Sequence, residues 1–305
     1  MAKYILKRLG MAAVTIWLVA TLTFFLMNMV PGGPFLSEKA VSPKALAALE
    51  EKYGLDKPLY QQYLTYMKGA VHLDFGDSLK QRGRTVMLII STKFPVSARI
   101  GGLSVLLAFC IGVPLGCISA LNRGKVLDNV IIVLATCGIA VPSFVICTLL
   151  MYTFGVRLGW LPTLGLQSWR HYIMPVAALA FYPTAYITRL MRSSMLDVLG
   201  QDYMRTARAK GLNQFLRLFK HALRNAILPV VTYLGPLLAY TVTGSFIVEK
   251  IFTIPGLGGE FISSITNRDY TVIMGTTIFL ATLVILMNVV VDIVYKIVDP
   301  RIKLK

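Results

Sequence analysis

Charge is scarce in this sequence, and acid is scarcer than base. Asp and Glu number 14 against 31 Lys and Arg, and all four types together make up 15% of the residues, where a globular protein carries about 25%. The shortage falls in long apolar runs, and hydrophobic residues reach 56% of the 305 positions. Soluble domains of that length are thereby excluded, and the bilayer is the main solvent. Buried acids, histidines and arginines, which an ion-coupled carrier needs for its relay, are nearly absent from the runs. Asp292 is the clearest in-span acid; it lies towards one end of the last run and reads as a structural partner for a nearby base. Glu249, beside Lys250, reads as interfacial. The histidines (His72, His171, His221) are dispersed, and the cysteines (Cys110, Cys117, Cys137, Cys147) sit in apolar runs without CxxC or Cys/His spacing. They read as packing residues and exclude a metal site.

Motifs for covalent chemistry are also missing. The sequence has no GxxxxGK[ST], HExxH or GxSxG, so it holds no recognisable ATPase, zinc-protease or serine-hydrolase site and calls for no cofactor. Any ATP is hydrolysed by another chain. The run Pro255-Gly256-Leu257-Gly258-Gly259 lacks the lysine of a phosphate loop and reads as a turn.

What is present is a net charge of +17. A nucleic-acid partner is the first reading of such a charge, but the bases flank apolar runs and no aromatic stacking platform accompanies them, so the positive-inside rule accounts for them. Six segments approach the roughly 20 residues that a span requires: 9–30, 100–121, 129–154, 172–190, 226–247 and 272–298, the fourth being short and interrupted by Pro175 and Pro183. The first follows Lys3, Lys7 and Arg8 and runs into Val30-Pro31-Gly32 without a small-residue cleavage site, so it reads as a retained helix. With the amino terminus inside, the cytoplasmic segments hold 17 of the 31 bases and only 4 acids (Asp128, Asp197, Asp202, Asp299), and both termini are cytoplasmic. The expected division is a first helix over 1–30, an extracytoplasmic helical segment over 31–99, a membrane core over 100–298 and a tail over 299–305.

The outer segment is patterned. Ser42-Pro43 followed by Leu46, Leu49 and Tyr53 predicts an N-capped amphipathic helix ending at Gly54; Pro58 opens a second with Leu59, Tyr63 and Met67; a third is expected near Thr85 to Thr92. It reads as a cap on the spans, with a substrate-facing vestibule as the alternative.

The most informative segment follows span four, over 193–225. Leu196, Leu199, Tyr203 and Ala207 suit one helix, Gly211 permits a reversal, and Phe215, Leu218, Phe219, Ala222 and Leu223 give a second amphipathic face. A helix-turn-helix is expected, either lying on anionic headgroups as a basic hairpin or docking a protein partner.

This segment resembles the EAA motif of ABC-importer membrane subunits, EAAxxxG with a later IxLP. Arg205, Thr206 and Ala207 occupy the EAA positions and Gly211 the glycine; His221-Ala222-Leu223-Arg224 begins the second half, and only Ala207, Gly211 and Leu223 match the general pattern. The departures, Arg205 through Lys210 to Leu212 and then Leu228-Pro229, are similar to those of the oligopeptide and dipeptide permeases. So are Tyr53-Gly54-Leu55-Asp56-Lys57-Pro58, Asp74-Phe75-Gly76-Asp77-Ser78, Asn267-Arg268-Asp269-Tyr270 and Asp299-Pro300-Arg301-Ile302-Lys303. The chain is identified on these as a member of the B-type permease family. The resemblance implies an all-α, type I ABC importer permease fold in a bacterial inner membrane. It also implies a homologous C-type permease, two ATPase subunits that bind the ATP, an extracytoplasmic peptide-binding protein, surrounding lipid and no nucleic acid. Arg205, Thr206, Ala207, Lys210, Gly211, Leu212, His221 and Leu223 would then couple the chain to an ATPase. Oligopeptides are the expected cargo, with dipeptides, nickel chelates and glutathione as alternatives inside the family and a proton-coupled carrier as the competitor outside it. Tyr233, Tyr240 and Thr243 of span five are open to both cargo contact and helix packing.

Overall fold

The computed structural model describes residues 2–31, 33–35 and 43–298. The expected cap residue Ser42, the terminal motif 299–305 and the side chain of Asp292 lie outside the described residues. The architecture is helical throughout, with no β-structure among the described residues beyond a single bridge between Asp77 and Thr85.

Four described helices are long and apolar enough to cross a membrane: Leu6–Met29, Val86–Leu121, Leu228–Ile251 and Tyr270–Val291. A fifth crossing is available if Val126–Ala140 and Ser143–Arg157, bent by 105°, count as one. The break is local and sequence-encoded. Val141 precedes Pro142 and takes an extended ψ of 124°, as the proline ring demands of its predecessor, so the expected straight run over 129–154 is two helices. The expected fourth span lies in a 30-residue helix, Arg170–Leu199, about 45 Å long, whose prolines, tyrosines and threonines leave it less apolar than the others.

The chain divides into two compact units. The first comprises 1–96 and 255–289 and contains α1 (Ala2–Met29), α2 (Pro43–Tyr53), α3 (Leu59–Val71) and the start of α4 (Val86–Leu121). Gly54 ends α2 at φ +68°, and Pro58 caps α3. The third outer helix is a correction: Val86 to Thr92 is the beginning of α4, continuous with span two. Ala20, Phe75, Val86, Ile89, Ile90, Leu257, Val272 and Ile278 form this unit's core. Phe24 of α1 stacks on Tyr66 of α3 at 5.7 Å, and the Tyr63 hydroxyl shares a 2.8 Å hydrogen bond with Thr21. The Tyr66 hydroxyl is buried without a partner among the described residues, and burial pushes its phenol pKa well up.

Two motifs far apart in sequence meet in this unit. Asp269, 2% exposed, accepts hydrogen bonds from the Ser78 hydroxyl, the Leu79 amide at 3.1 Å and the Thr271 hydroxyl at 3.0 Å. It thereby fastens the 72–85 loop to the start of α14 (Tyr270–Val298). Glu260 binds Lys93 at 3.4 Å and Gln81 at 2.5 Å. The glycine run is corrected as well: Gly256 caps α13 (Leu257–Asn267), and Gly258 and Gly259 lie inside that helix.

The second unit comprises 97–254 and 290–305. It contains the rest of α4; α5 (Val126–Ala140); α6 (Ser143–Leu150), which widens into a π-turn over Met151–Arg157; and α7 (Arg170–Leu199). After these come α8 (Asp202–Ala209), α9 (Gln214–Leu216), a π-turn over Arg217–Ala222, α10 (Leu223–Ala226), α11 (Leu228–Val242) and α12 (Phe246–Ile251). Lipid tails supply no hydrophobic drive between helices, so close approach of small residues matters. On α4, a Cβ at Gly112 would lie 2.8 Å from Ile187 Cγ2, and one at Gly116 2.6 Å from Met191 Cβ; these two glycines let α4 press onto α7. Within the Leu228–Ile251 crossing the helix is interrupted after Val242, because Gly244 turns at φ +98° and Ser245 caps α12. Glu249 on α12 is 2% exposed and accepts a 2.7 Å hydrogen bond from Ser97. Among the cysteines only Cys147 is fully buried; Cys117 is half-buried, and Cys110 and Cys137 are exposed, against the packing role expected of them.

Candidate functional site

The loop after α7 folds as two short limbs around Gly211. Its first limb differs from expectation, because Leu196 and Leu199 belong to α7, and a break at Gly200-Gln201 separates them from α8. The buried face of α8 is Met204 and Ala207, at 4% and 7% exposure, while Tyr203 is exposed. Met204 joins a cluster with Met195, Ala222, Ala226 and Val230, against which Leu223 packs.

Gly211 does what its position predicts. The Gly211 N–H donates to Arg208 O at 3.1 Å, and the Leu212 N–H donates to Ala207 O at 3.3 Å. This is a Schellman termination, which requires a left-handed residue at the glycine position; Gly211 has φ +73°. Asn213 then caps the second limb, its Oδ1 accepting from the Leu216 N–H at 2.8 Å. A 2.9 Å hydrogen bond from Asn225 Nδ2 to the Tyr203 hydroxyl ties the limbs together.

The eight expected coupling residues split by exposure. Arg205, Thr206, Lys210 and Gly211 stand on the exposed surface, Ala207 is buried, and Leu212, His221 and Leu223 are half-buried. The loop thus presents a basic, conformationally fixed tip on an apolar seat. The exposed Arg205–Asp202 pair at 3.6 Å adds little rigidity.

Beneath the loop lies a feature that sequence reading missed. Asp128, in the first turn of α5, is 1% exposed and is gripped by Arg192 of α7 through Nε–Oδ1 at 2.7 Å and Nη2–Oδ2 at 2.8 Å. Ser119 at the end of α4 donates to Oδ1 at 2.5 Å, and the Gly124 N–H donates to Oδ2 at 2.9 Å. A buried carboxylate is tolerable when fully paired in this way, and its place in a helix's first turn is favourable. The network locks the end of α4, the start of α5 and the part of α7 that leads into the loop. Charge counting had placed Asp128 among the cytoplasmic acids; nothing in its neighbourhood pointed to a partner 64 residues on.

Among the described residues no group of three or more His, Cys, Asp or Glu is placed to hold a metal ion. Tyr233 packs its ring 4.4 Å from that of Tyr186, Tyr240 is 77% exposed, and the Thr243 hydroxyl donates to Tyr240 O.

Residues 112–304 match the family of binding-protein-dependent transport system inner membrane components, and residues 1–82 match the N-terminal part of such components. The chain belongs to this family. The likeness runs the full length: the chain is 47% identical over 304 residues to the dipeptide transport system permease protein DppB of Bacillus subtilis, covering 100% of this chain and 99% of that one. It is 42% identical over 305 residues to the oligopeptide transport system permease protein OppB of Haemophilus influenzae, covering 99% and 100%. In fold it is similar to a subunit of the inward-facing MetNI methionine ABC transporter, at TM-score 0.55 and 18% identity over 70% of this chain and 97% of that one. This inner membrane component is therefore a multi-pass transport protein with the type I ABC importer permease fold, not an enzyme, and the membership expected from its motifs holds.

Proposed function

We propose that this inner membrane component is the permease subunit of an ATP-driven importer of peptides, oligopeptides in particular, and that it forms half of the translocation pathway. The observation that carries the reading is the full-length identity to peptide permeases, at 39% and above over the OppB and DppB relatives. The proposed assembly pairs the chain with a homologous permease and two ATPase subunits, which bind the ATP, and with an extracytoplasmic binding protein that delivers the peptide. Both termini and the 193–225 loop face the cytoplasm in this reading, in keeping with its concentration of bases; 31–99 is extracytoplasmic and 100–298 is the permease core.

The exposed tip formed by Arg205, Thr206, Lys210 and Gly211 enters a groove on one ATPase. Ala207, Leu212, His221 and Leu223 hold the tip to α7 and carry its displacement into the spans. Closure of the ATPases pushes on the loop, and because it is seated on a packed cluster the push shifts α7 rather than deforming the loop.

The test is Gly211→Pro in the complete complex, reconstituted in vesicles with its binding protein. Proline fixes φ near −65° and removes an N–H, whereas Gly211 needs φ +73° and donates to Arg208. Assembly should persist while ATP-driven uptake of a labelled pentapeptide is lost. Uptake at the wild-type rate by an assembled variant refutes the coupling role, and uptake driven by a proton gradient without ATP refutes the importer class. Competition by dipeptides, longer peptides, glutathione and a nickel chelate identifies the cargo.

A further inference from the structure

The exposed side of α7 carries an aromatic and cationic ladder. The rings of Tyr182 and Tyr186, one turn apart, stack at 6.4 Å and 22°, and Tyr233 of α11 adds a third ring 4.4 Å from Tyr186. Arg189 continues the same stripe, three residues beyond Tyr186 and seven beyond Tyr182. Tyr182 is 47% and Tyr186 37% exposed, and Arg189 is exposed too. By contrast Ile187, Thr188 and Met191, elsewhere around the same turns, are between 0% and 3% exposed. None of the three phenol hydroxyls, nor the Arg189 guanidinium, has a hydrogen-bond or ion-pair partner among the described residues.

Such a stripe is unsuited to lipid. Unpartnered polar groups in hydrocarbon cost several kcal/mol each, so either protein or water covers it. A protein neighbour would have to dehydrate Arg189 and supply an acid to it, since an unpaired buried charge is strongly destabilising. A water-filled path makes neither demand. It leaves the ladder open to a solute, and the chemistry offered is that of a peptide: phenols donate to and accept from amides, ring faces take apolar side chains, and a guanidinium pairs in bidentate fashion with a carboxylate. Two helical turns separate Tyr182 from Arg189, about 10 Å, the length of about three extended residues.

We infer that Tyr182, Tyr186, Tyr233 and Arg189 form a peptide-contacting track on the permeation path, in which Arg189 takes the C-terminal carboxylate. The inference rests on the peptide-permease reading and extends it to named groups.

The experiment uses the whole importer in vesicles, saturated with its binding protein, and follows ATP-driven uptake of a labelled tetrapeptide in free-acid and C-terminally amidated forms. Arg189→Gln should lower uptake of the acid about tenfold, the worth of one charge-assisted hydrogen bond, and leave uptake of the amide unchanged. ATP turnover stimulated by the loaded binding protein should stay near wild type. A photoreactive phenylalanine analogue at position 186 should capture the labelled peptide during turnover, whereas one at the exposed Leu149 of α6 should not. The track is overturned if Arg189→Gln slows acid and amide equally, or if position 186 captures the second permease or lipid instead of peptide. Failure of the wild-type complex to import either peptide overturns the permease reading itself, which separates the two claims.

Discussion

Removing Arg192 tests whether the buried Asp128 network holds this protein together. Arg192→Met keeps most of the side chain's bulk and deletes the cation, leaving a carboxylate at 1% exposure with Ser119 and Gly124 as its remaining partners. Two unit charges about 4 Å apart at an effective dielectric of about 20 attract by about 4 kcal/mol. Breaking a buried pair by removing one partner costs about 3–5 kcal/mol. The Arg192 side chain keeps 24% of its surface in contact with solvent, which places the expected loss at the lower end, about 3 kcal/mol. Cys147 offers the assay: it is fully buried, so its modification by a thiol reagent on heating in detergent reports unfolding once the exposed Cys110 and Cys137 and the half-buried Cys117 are replaced by alanine. Asp128→Asn should cost a similar amount, and the two together should cost much less than their sum. The pair is buried, so the loss should persist in 1 M salt, where the screening length is about 3 Å. Additive single effects, or a loss that vanishes with salt, would refute the claim that the network is a closed and desolvated unit.

Other substitutions check other parts of the structure. Gly211→Ala meets no atom within 4 Å of its new Cβ, so only the left-handed backbone is penalised. Loop stability should fall by about 1–2 kcal/mol, and uptake should drop less than with Gly211→Pro, as measured by hydrogen exchange over 202–226 and by transport. Tyr66→Phe deletes a buried hydroxyl that has no partner among the described residues and should raise stability by about 1 kcal/mol; a lower melting temperature would mean that the hydroxyl is engaged. Asp269→Ala strands the Ser78 hydroxyl and the Leu79 amide and should cost about 3 kcal/mol, with protease cleavage appearing in the 72–85 loop. Asp269→Asn should recover part of that loss.

Local chemistry was the legible part of this fold. Gly54, Pro58 and Gly211 act where their backbone preferences predict, and the apolar runs lie in the long helices. The errors came from two sources. Some breaks and continuities depend on a neighbour's sterics: Pro142 splits a run that hydropathy alone joins, and Thr92 lies inside a helix that hydropathy had begun at Ile100. Other features are fixed by tertiary contacts at long separation, such as Asp128 with Arg192 or Ser97 with Glu249, 152 residues apart. A buried acid and an exposed one look alike in a string of letters. For the candidate site, the motif located the loop and the residue at its turn, whereas the division between exposed tip and buried seat needed coordinates, because Tyr203 and Met204 are adjacent and only packing decides which is covered.

The continuity of α4 has a consequence for how the protein stands in its bilayer. Its 36 residues form a rod of about 54 Å, while the hydrocarbon layer is about 30 Å thick. The stretch from Arg99 to Leu121 already matches that layer by the same rise, so α4 is about 24 Å longer than a perpendicular crossing needs. The excess is taken up by tilting or by standing out of the layer, and Pro95, inside the helix, removes one backbone N–H from its ladder and is the place where the rod can bend. A tilt of about 10° on a rod of that length carries its far end sideways by about 9 Å, so the lie of α4 is sensitive to the thickness of the lipid around it.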